Sequence, residues 1–124
     1  MRSDIKSHIA PVQTIAPAAY TATATGTGVD LANYDAAAVV VTVGAVTNNT
    51  FAVEVQESDQ PASGYTAVPD GLLDGAEPAT LTAATTTVIG YHGIRRYLRV
   101  VATTSAGNAV FGATVVRGHG RIQP

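Results

Sequence analysis

The apolar residues of this chain fall into short strand-like runs separated by turn residues, and no long amphipathic helix can be drawn from their pattern. Tyr20 to Thr25 alternates Thr and Ala and is closed by Gly26 and Gly28. Ala38 to Val46 is Val-rich and apolar on both faces, which predicts a central strand. Phe51, Val53 and Val55 point one way and Ala52, Glu54 and Gln56 the other, as in a half-buried strand. Asn48-Asn49 supplies a turn between these two runs, so residues 46–51 read as a hairpin connection.

The same reading continues toward the C-terminus. A polar loop, Ser58 to Gly64, leads to a short strand at Tyr65 to Val68, which Pro69-Asp70-Gly71 ends as a turn. Leu72 to Ala84 is irregular, Thr85 to Tyr91 returns to strand, and His92-Gly93 turns the chain. Arg95 to Thr103 places Leu98, Val100 and Ala102 on one side and Tyr97, Arg99 and Val101 on the other. Ala106-Gly107-Asn108 then turns into a last strand, Ala109 to Arg117. About six or seven short strands with frequent turns predict an all-β, single-domain antiparallel β-sandwich or jelly roll over residues 19–117.

The ends differ from this body. In residues 1–18, Pro11 and Pro17 disfavour helix, and Ile5, Ile9, Val12 and Ile15 are apolar without a clean period. The stretch reads as an extended N-terminal arm whose apolar residues pack either on a neighbour or on the chain's own sandwich. Residues 118–124, with Gly118, Gly120 and a final Pro, read as a C-terminal tail.

Composition sharpens the picture. The 124 residues are 46% hydrophobic but only 13% charged, about half the charge of a typical globular protein. Two explanations fit: a surface largely covered by other subunits, or a Thr- and Ala-rich β-surface kept soluble by hydroxyls. Between Ser7 and Ile94 there is no Lys or Arg, while Asp30, Asp35, Glu54, Glu57, Asp59, Asp70, Asp74 and Glu77 lie there. The cations sit at the ends: Arg2, Lys6, Arg95, Arg96, Arg99, Arg117 and Arg121. Phosphate binding needs several converging cations, so nucleic acid is not an expected partner. No apolar run approaches the roughly 20 residues of a membrane span. Asp4, Lys6 and His8 interrupt any signal-peptide pattern, so a product of the cytoplasm is expected. The chain has no cysteine.

Candidate chemistry is sparse. His8, His92 and His119 have no metal-ligand spacing, and the Glu57–Asp59 loop lacks the alternating-acid pattern of a calcium loop. Glu54 and Glu57 fall on opposite faces of one strand, which does not oppose two carboxylates across a cleft. Ser58, Ser63 and Ser105 lack a nucleophile elbow, and Gly26-Thr27-Gly28 is a turn with no following phosphate-loop residues. Arg95-Arg96-Tyr97-Leu98-Arg99 could bind single-stranded nucleic acid by stacking and charge. The preferred reading is that these arginines point outward and pair with acids on an adjacent strand or subunit. The expectation is a non-enzyme with no cofactor and no metal.

Three segments carry a resemblance. They are Val53-Glu54-Val55-Gln56-Glu57-Ser58-Asp59 with Tyr65-Thr66-Ala67-Val68, then Gly90-Tyr91-His92-Gly93-Ile94-Arg95-Arg96-Tyr97-Leu98-Arg99-Val100, and finally Val115-Val116-Arg117-Gly118-His119-Gly120-Arg121. With the start at Asp30-Leu31 they resemble small auxiliary head proteins of tailed bacteriophages, of the capsid decoration or cement type. The resemblance implies a structural virion protein on the capsid surface that stabilises adjacent capsomers. Its implied partners are the major capsid protein and neighbouring copies of itself in a symmetric homo-oligomer, with no nucleic acid and no membrane. Ile5, Ile9, Val12, Ile15, Arg95, Arg96, Arg99, Arg117 and Arg121 are the residues expected at capsid or subunit contacts. The loop Thr104 to Asn108 is shorter than in comparable chains, which puts any contact made there in question. A head–tail connector or tail component is an alternative. The same segments also resemble discoidin-like jelly rolls, which implies a glycan-binding module using Tyr34, Tyr65 or Tyr91.

Overall fold

Strands form wherever β-branched residues alternate with polar ones, and here they account for nearly all regular structure. The computed structural model describes residues 4–48, 51–105 and 107–120. Among them are β1 (Ile9–Tyr20), β2 (Ala24–Thr25), β3 (Val29–Asp30), β4 (Tyr34–Asn48) and β5 (Ala52–Ser58). They are followed by β6 (Thr66–Ala67), β7 (Leu73–Asp74), β8 (Thr86–Tyr91), β9 (Tyr97–Thr103) and β10 (Asn108–Gly120). Short 3-10 turns at Lys6–His8 and Asp70–Leu72 are the only helical elements among the described residues.

All pairings are antiparallel and build two sheets. One runs β1-β10-β4-β8-β7, the other β2-β9-β5-β6, with β3 also on β9. β3 extends β2 along the same strand β9, and β7 only adds an edge beyond β8; with these two set aside, eight strands remain in the described chain. In chain order they fill the sheets as 1-8-3-6 and 2-7-4-5, the strand order of a jelly roll. Of these eight, only β5 and β6 are both consecutive in the chain and paired. The expected sandwich or jelly roll is therefore present.

The core lies between the sheets. Val39, Val41 and Val43 of β4, Ile89 of β8 and Phe111 and Val115 of β10 face Val53 and Val55 of β5 and Leu98, Val100 and Ala102 of β9, all of them buried. Phe51 meets Phe111 edge-on at 5.0 Å, and the Tyr20 ring lies 4.9 Å from the same Phe111 ring. Leu81 reaches in from the long segment between β7 and β8 and is 1% exposed. Each outward set of β5 and β9 matches the expected alternation.

Several local expectations change. Residues 46–51 do not close a hairpin: β4 belongs to the first sheet and β5 to the second, so the chain crosses the sandwich there. Asn49 lies outside the described residues. The Val-rich stretch is central, flanked by β10 and β8, but it is buried on one face only, because Val40 and Thr42 point outward. The run Tyr20 to Thr25 breaks into the end of β1 and the whole of β2, which lies on the other sheet.

The stretch read as an arm is extended, and from Ile9 it is the edge strand of the first sheet, paired along β10 from Ile9↔Gly118 to Tyr20↔Ala109. Its register shifts between Gln13 and Ile15 and again between Ile15 and Ala18. These irregularities let Thr14 and Ile15, neighbours in sequence, both be buried. Pro11 and Pro17 sit in this edge strand, where a missing N–H does no harm and discourages pairing with a foreign strand. The part of the tail that is described, Gly118 to Gly120, continues β10.

Thr14 ties the edge strand to the opposite sheet. Its hydroxyl donates to the Thr27 carbonyl at 2.8 Å and accepts the Val100 N–H at 3.2 Å. Gly26 N–H meets the Val100 carbonyl at 2.8 Å, so Thr14 and Gly26 together complete the ladder of β9 in the gap between β2 and β3. A Cβ at Gly26 would fall 2.2 Å from the Thr14 hydroxyl, which is why no side chain fits there. On the far edge, Val53 N–H reaches the Pro78 carbonyl and Val55 N–H reaches the Glu77 carboxylate, so a loop covers the open side of β5.

Candidate functional site

Directly opposed residues of antiparallel strands share a face, so the register defines the outer surface of the first sheet. One row is Pro11–Val116–Ala38–Gly90, the next Gln13–Thr114–Val40–Val88. Gly112, Thr42 and Thr86 form a third, and Ile9, Gly118 and Ala36 a fourth. Val110 stands beside Gly44 at one end. Among the described residues of β1, β10, β4 and β8, this face holds no Asp, Glu, Lys or Arg. The first charge along the rows is Asp74, opposite Gly90 on the short edge strand β7. Val88 is 61% exposed, and Val110 41%.

The other sheet is different. Its outer face carries Glu54 opposite Val101, Gln56 opposite Arg99 and Ser58 opposite Tyr97. Arg99 donates to Gln56 at 2.8 Å, and its guanidinium lies 4.0 Å from the centre of the Tyr65 ring. A soluble sandwich normally presents polar residues on both outer faces. Here the charge deficit of the composition is concentrated on one sheet, over a contiguous uncharged surface where Pro11, Ala38, Val40, Val88 and Val116 stand among Gln13, Thr42, Thr86 and Thr114.

The arginine-rich segment lies at one end of the sandwich. Arg96 makes a two-pronged pair with Asp30, both bonds 2.9 Å. Arg117 donates at 3.1 Å to the carbonyls of Ala10 and of the same Asp30, with its guanidinium 4.5 Å from the Tyr34 ring centre. Arg95 pairs with Asp59. The Arg96 guanidinium holds the Asp30 carboxyl below its ordinary value, against a smaller opposing effect of burial. Beneath them, Tyr91 of β8 donates to the buried Glu57 carboxylate of β5 at 2.6 Å, bridging the sheets. Burial first, and Glu57 second, push the Tyr91 phenol well above its usual range. A cleft of about 520 Å³ runs beside this cluster between Leu31 to Ala37 and Gly93 to Arg96. Ile94 stands at its rim, 96% exposed.

The expected contact residues therefore separate. Ile15 is core, at 4% exposure, and is not open to a partner. Ile9 lies half-buried on the charge-free face. Val12 is partly exposed at the sandwich edge and Ile5 is exposed just before β1. Arg96 and Arg117 converge on Asp30, while Arg95 and Arg99 have partners of their own within the chain. Arg121 lies outside the described residues. Among the described residues no three His, Cys, Asp or Glu side chains gather as metal ligands would. Of the tyrosines proposed for glycans, Tyr65 is stacked by Arg99 and bonded to the Pro61 carbonyl, and Tyr91 is buried. The residues not singled out from sequence are Val40, Val88, Val110, Thr114 and Val116. Their signal was the outward register of otherwise apolar strands.

No protein-family model matches the chain, and no curated protein matches it. Among solved structures, one of infectious bursal disease virus, Gx strain, is similar at a TM-score of 0.45 and 13% identity. The match covers 93% of this chain and 34% of that one, so the chain spans about a third of that structure's length. The jelly-roll assignment stands on the strand order itself.

Proposed function

We propose that this chain is a structural protein of a virus particle. It decorates the outside of a tailed-phage capsid lattice and stabilises adjacent capsomers. The observation that carries the reading is the outer face of β1, β10, β4 and β8: a four-stranded surface without charge among the described residues, in a jelly roll whose opposite face is conventionally polar. Such a surface is stable in water only at the cost of exposing Val, Ala and Pro, and burial against neighbouring subunits removes that cost. The resemblance of the Glu54 to Asp59, Gly90 to Val100 and Val115 to Arg121 segments to phage head proteins supports the same assignment.

The mechanism needs no reactive group. Ion pairs and stacked arginines fix the end of the sandwich around Asp30, Tyr91 and Glu57, so the subunit docks as a rigid body. Each contact is small, and repetition over a lattice multiplies it. The test is the copy number of this chain in purified particles, measured against the major capsid protein. A ratio near one, or a simple fraction such as about one third, is expected of a lattice position. A handful of copies per particle, as for a connector or tail component, would refute decoration, and absence from particles would refute a virion role altogether.

A further inference from the structure

We infer that the charge-free face of β1-β10-β4-β8 is an isologous contact between two copies of this chain, sheet against sheet about a two-fold axis. This rests on the shell reading above and names the occupant of the surface which that reading leaves covered.

Charge is the first argument. In an isologous contact each residue near the axis meets its own image. A charged side chain there faces a like charge, which is repulsive. A different protein as partner imposes no such restriction and can match acids with bases. This chain has charges on its second sheet, at Glu54 and Arg99, and on the far edge of the first, at Asp74. Among the described residues none stands in the outward rows of the four strands, where self-contact disfavours them; Asp35 of β4 and Arg117 of β10 fall in the alternate register.

Relief is the second. Val88, 61% exposed, stands beside Gly90, and the adjoining row offers only Ala38 between Gly90 and Val116. A low band next to a ridge lets two identical faces interdigitate, the ridge of each lying along the band of the other.

Area is the third. Four strands about 4.8 Å apart, each about seven residues long at about 3.3 Å per residue and presenting every second one, give a face on the order of 440 Å². A pair then buries roughly 900 Å², below the range of about 1,200–2,000 Å² for stable complexes and slightly above most lattice contacts. The contact is therefore weak and reversible in free solution, and persistent where a shell holds copies side by side.

Sedimentation of the purified full chain from about 10 μM to about 1 mM tests this, over the range where an interface of this size is expected to associate. A monomer–dimer equilibrium is expected. Val88→Lys and Val88→Glu each change the 61% exposed ridge residue beside the axis, so both variants should melt close to the unaltered protein. Each alone should weaken self-association at least about tenfold by placing like charges across the axis. An equimolar mixture of the two should dimerise again, because opposite charges then meet.

A chain that stays monomeric throughout, or variants that dimerise like the unaltered protein, would overturn the inference. If the chain is monomeric in solution yet present on particles at a lattice copy number, the face belongs to the capsid protein and the shell reading stands. Absence from particles removes the shell reading whatever sedimentation shows.

Discussion

Replacing Thr14 by Val removes one hydroxyl while keeping the side chain's shape and its β-branching. That hydroxyl is 4% exposed at the residue level and serves two backbone groups, the Thr27 carbonyl and the Val100 N–H. Val100 is 1% exposed, and its N–H faces the gap between β2 and β3, where Thr14 takes the place of a strand residue. A buried donor left without a partner costs about 1–3 kcal/mol, and loss of the bond to the less buried Thr27 carbonyl about another 0.5–1.5 kcal/mol. Thr14→Val should therefore destabilise the fold by roughly 2–4 kcal/mol, a large part of the approximately 5–15 kcal/mol that holds a domain together. In a domain of this size that lowers Tm by roughly 6–20 °C. Urea unfolding at low protein concentration measures it as a fall in midpoint at unchanged slope. Thr14→Ser keeps the hydroxyl and should recover most of the loss. If Thr14→Val unfolds within about 0.5 kcal/mol of the unaltered protein, the level of an ordinary surface change, Thr14 does not complete the ladder as described.

Three further outcomes are expected. Leu81→Ala empties a site that is 1% exposed and should cost about 2–5 kcal/mol in the same assay, showing that the segment between β7 and β8 is anchored in the core. Asp30 has its carboxyl held down by Arg96, so its contribution is present above the ordinary value of 3.8 and is lost as pH falls through the lowered one. Asp30→Asn should accordingly flatten the acid limb of a urea-midpoint-against-pH curve and leave the slope at neutral pH unchanged. Glu77 is the opposite case: burial raises its carboxyl above 4.5, against the opposing bond from Val55, so its contribution is present below that value and lost as pH rises through the raised one. Glu77→Gln keeps an acceptor for the Val55 N–H without the charge, and should gain stability over the unaltered protein toward neutral pH while matching it in acid.

Legibility from sequence followed the range of the interactions. Strands with strict alternation, Phe51 to Gln56 and Leu98 to Ala102, were readable because burial on one face repeats every second residue. Sheet membership was not. The Asn48-Asn49 connection has the local chemistry of a hairpin, yet β5 pairs with β9, more than forty residues on in the register Val55↔Val100. Ile9 and Val12 fall on opposite faces of an edge strand, and Ile15 follows a slip in register between Gln13 and Ala18 set by contact with β10, so the three show no common period. The shortage of charge was visible in the composition. Its concentration on one face was not, because an outward Val at position 40 or 116 looks like a core residue until register assigns its side. The arginines showed the reverse. Acid partners were anticipated and occur for Arg95 and Arg96, with Asp59 and Asp30 of the same chain, although both arginines precede β9; Arg99, on the strand, bonds the amide of Gln56 instead.

The central claim is that the face bearing Val40, Thr114 and Val88 is covered in the assembled particle. A cryo-EM reconstruction of purified particles tests it most directly. The account predicts jelly-roll density on the outside of the shell with protein packed against β1, β10, β4 and β8. Density in which that face looks into open solvent while Glu54, Gln56 and Arg99 make the contact would contradict it.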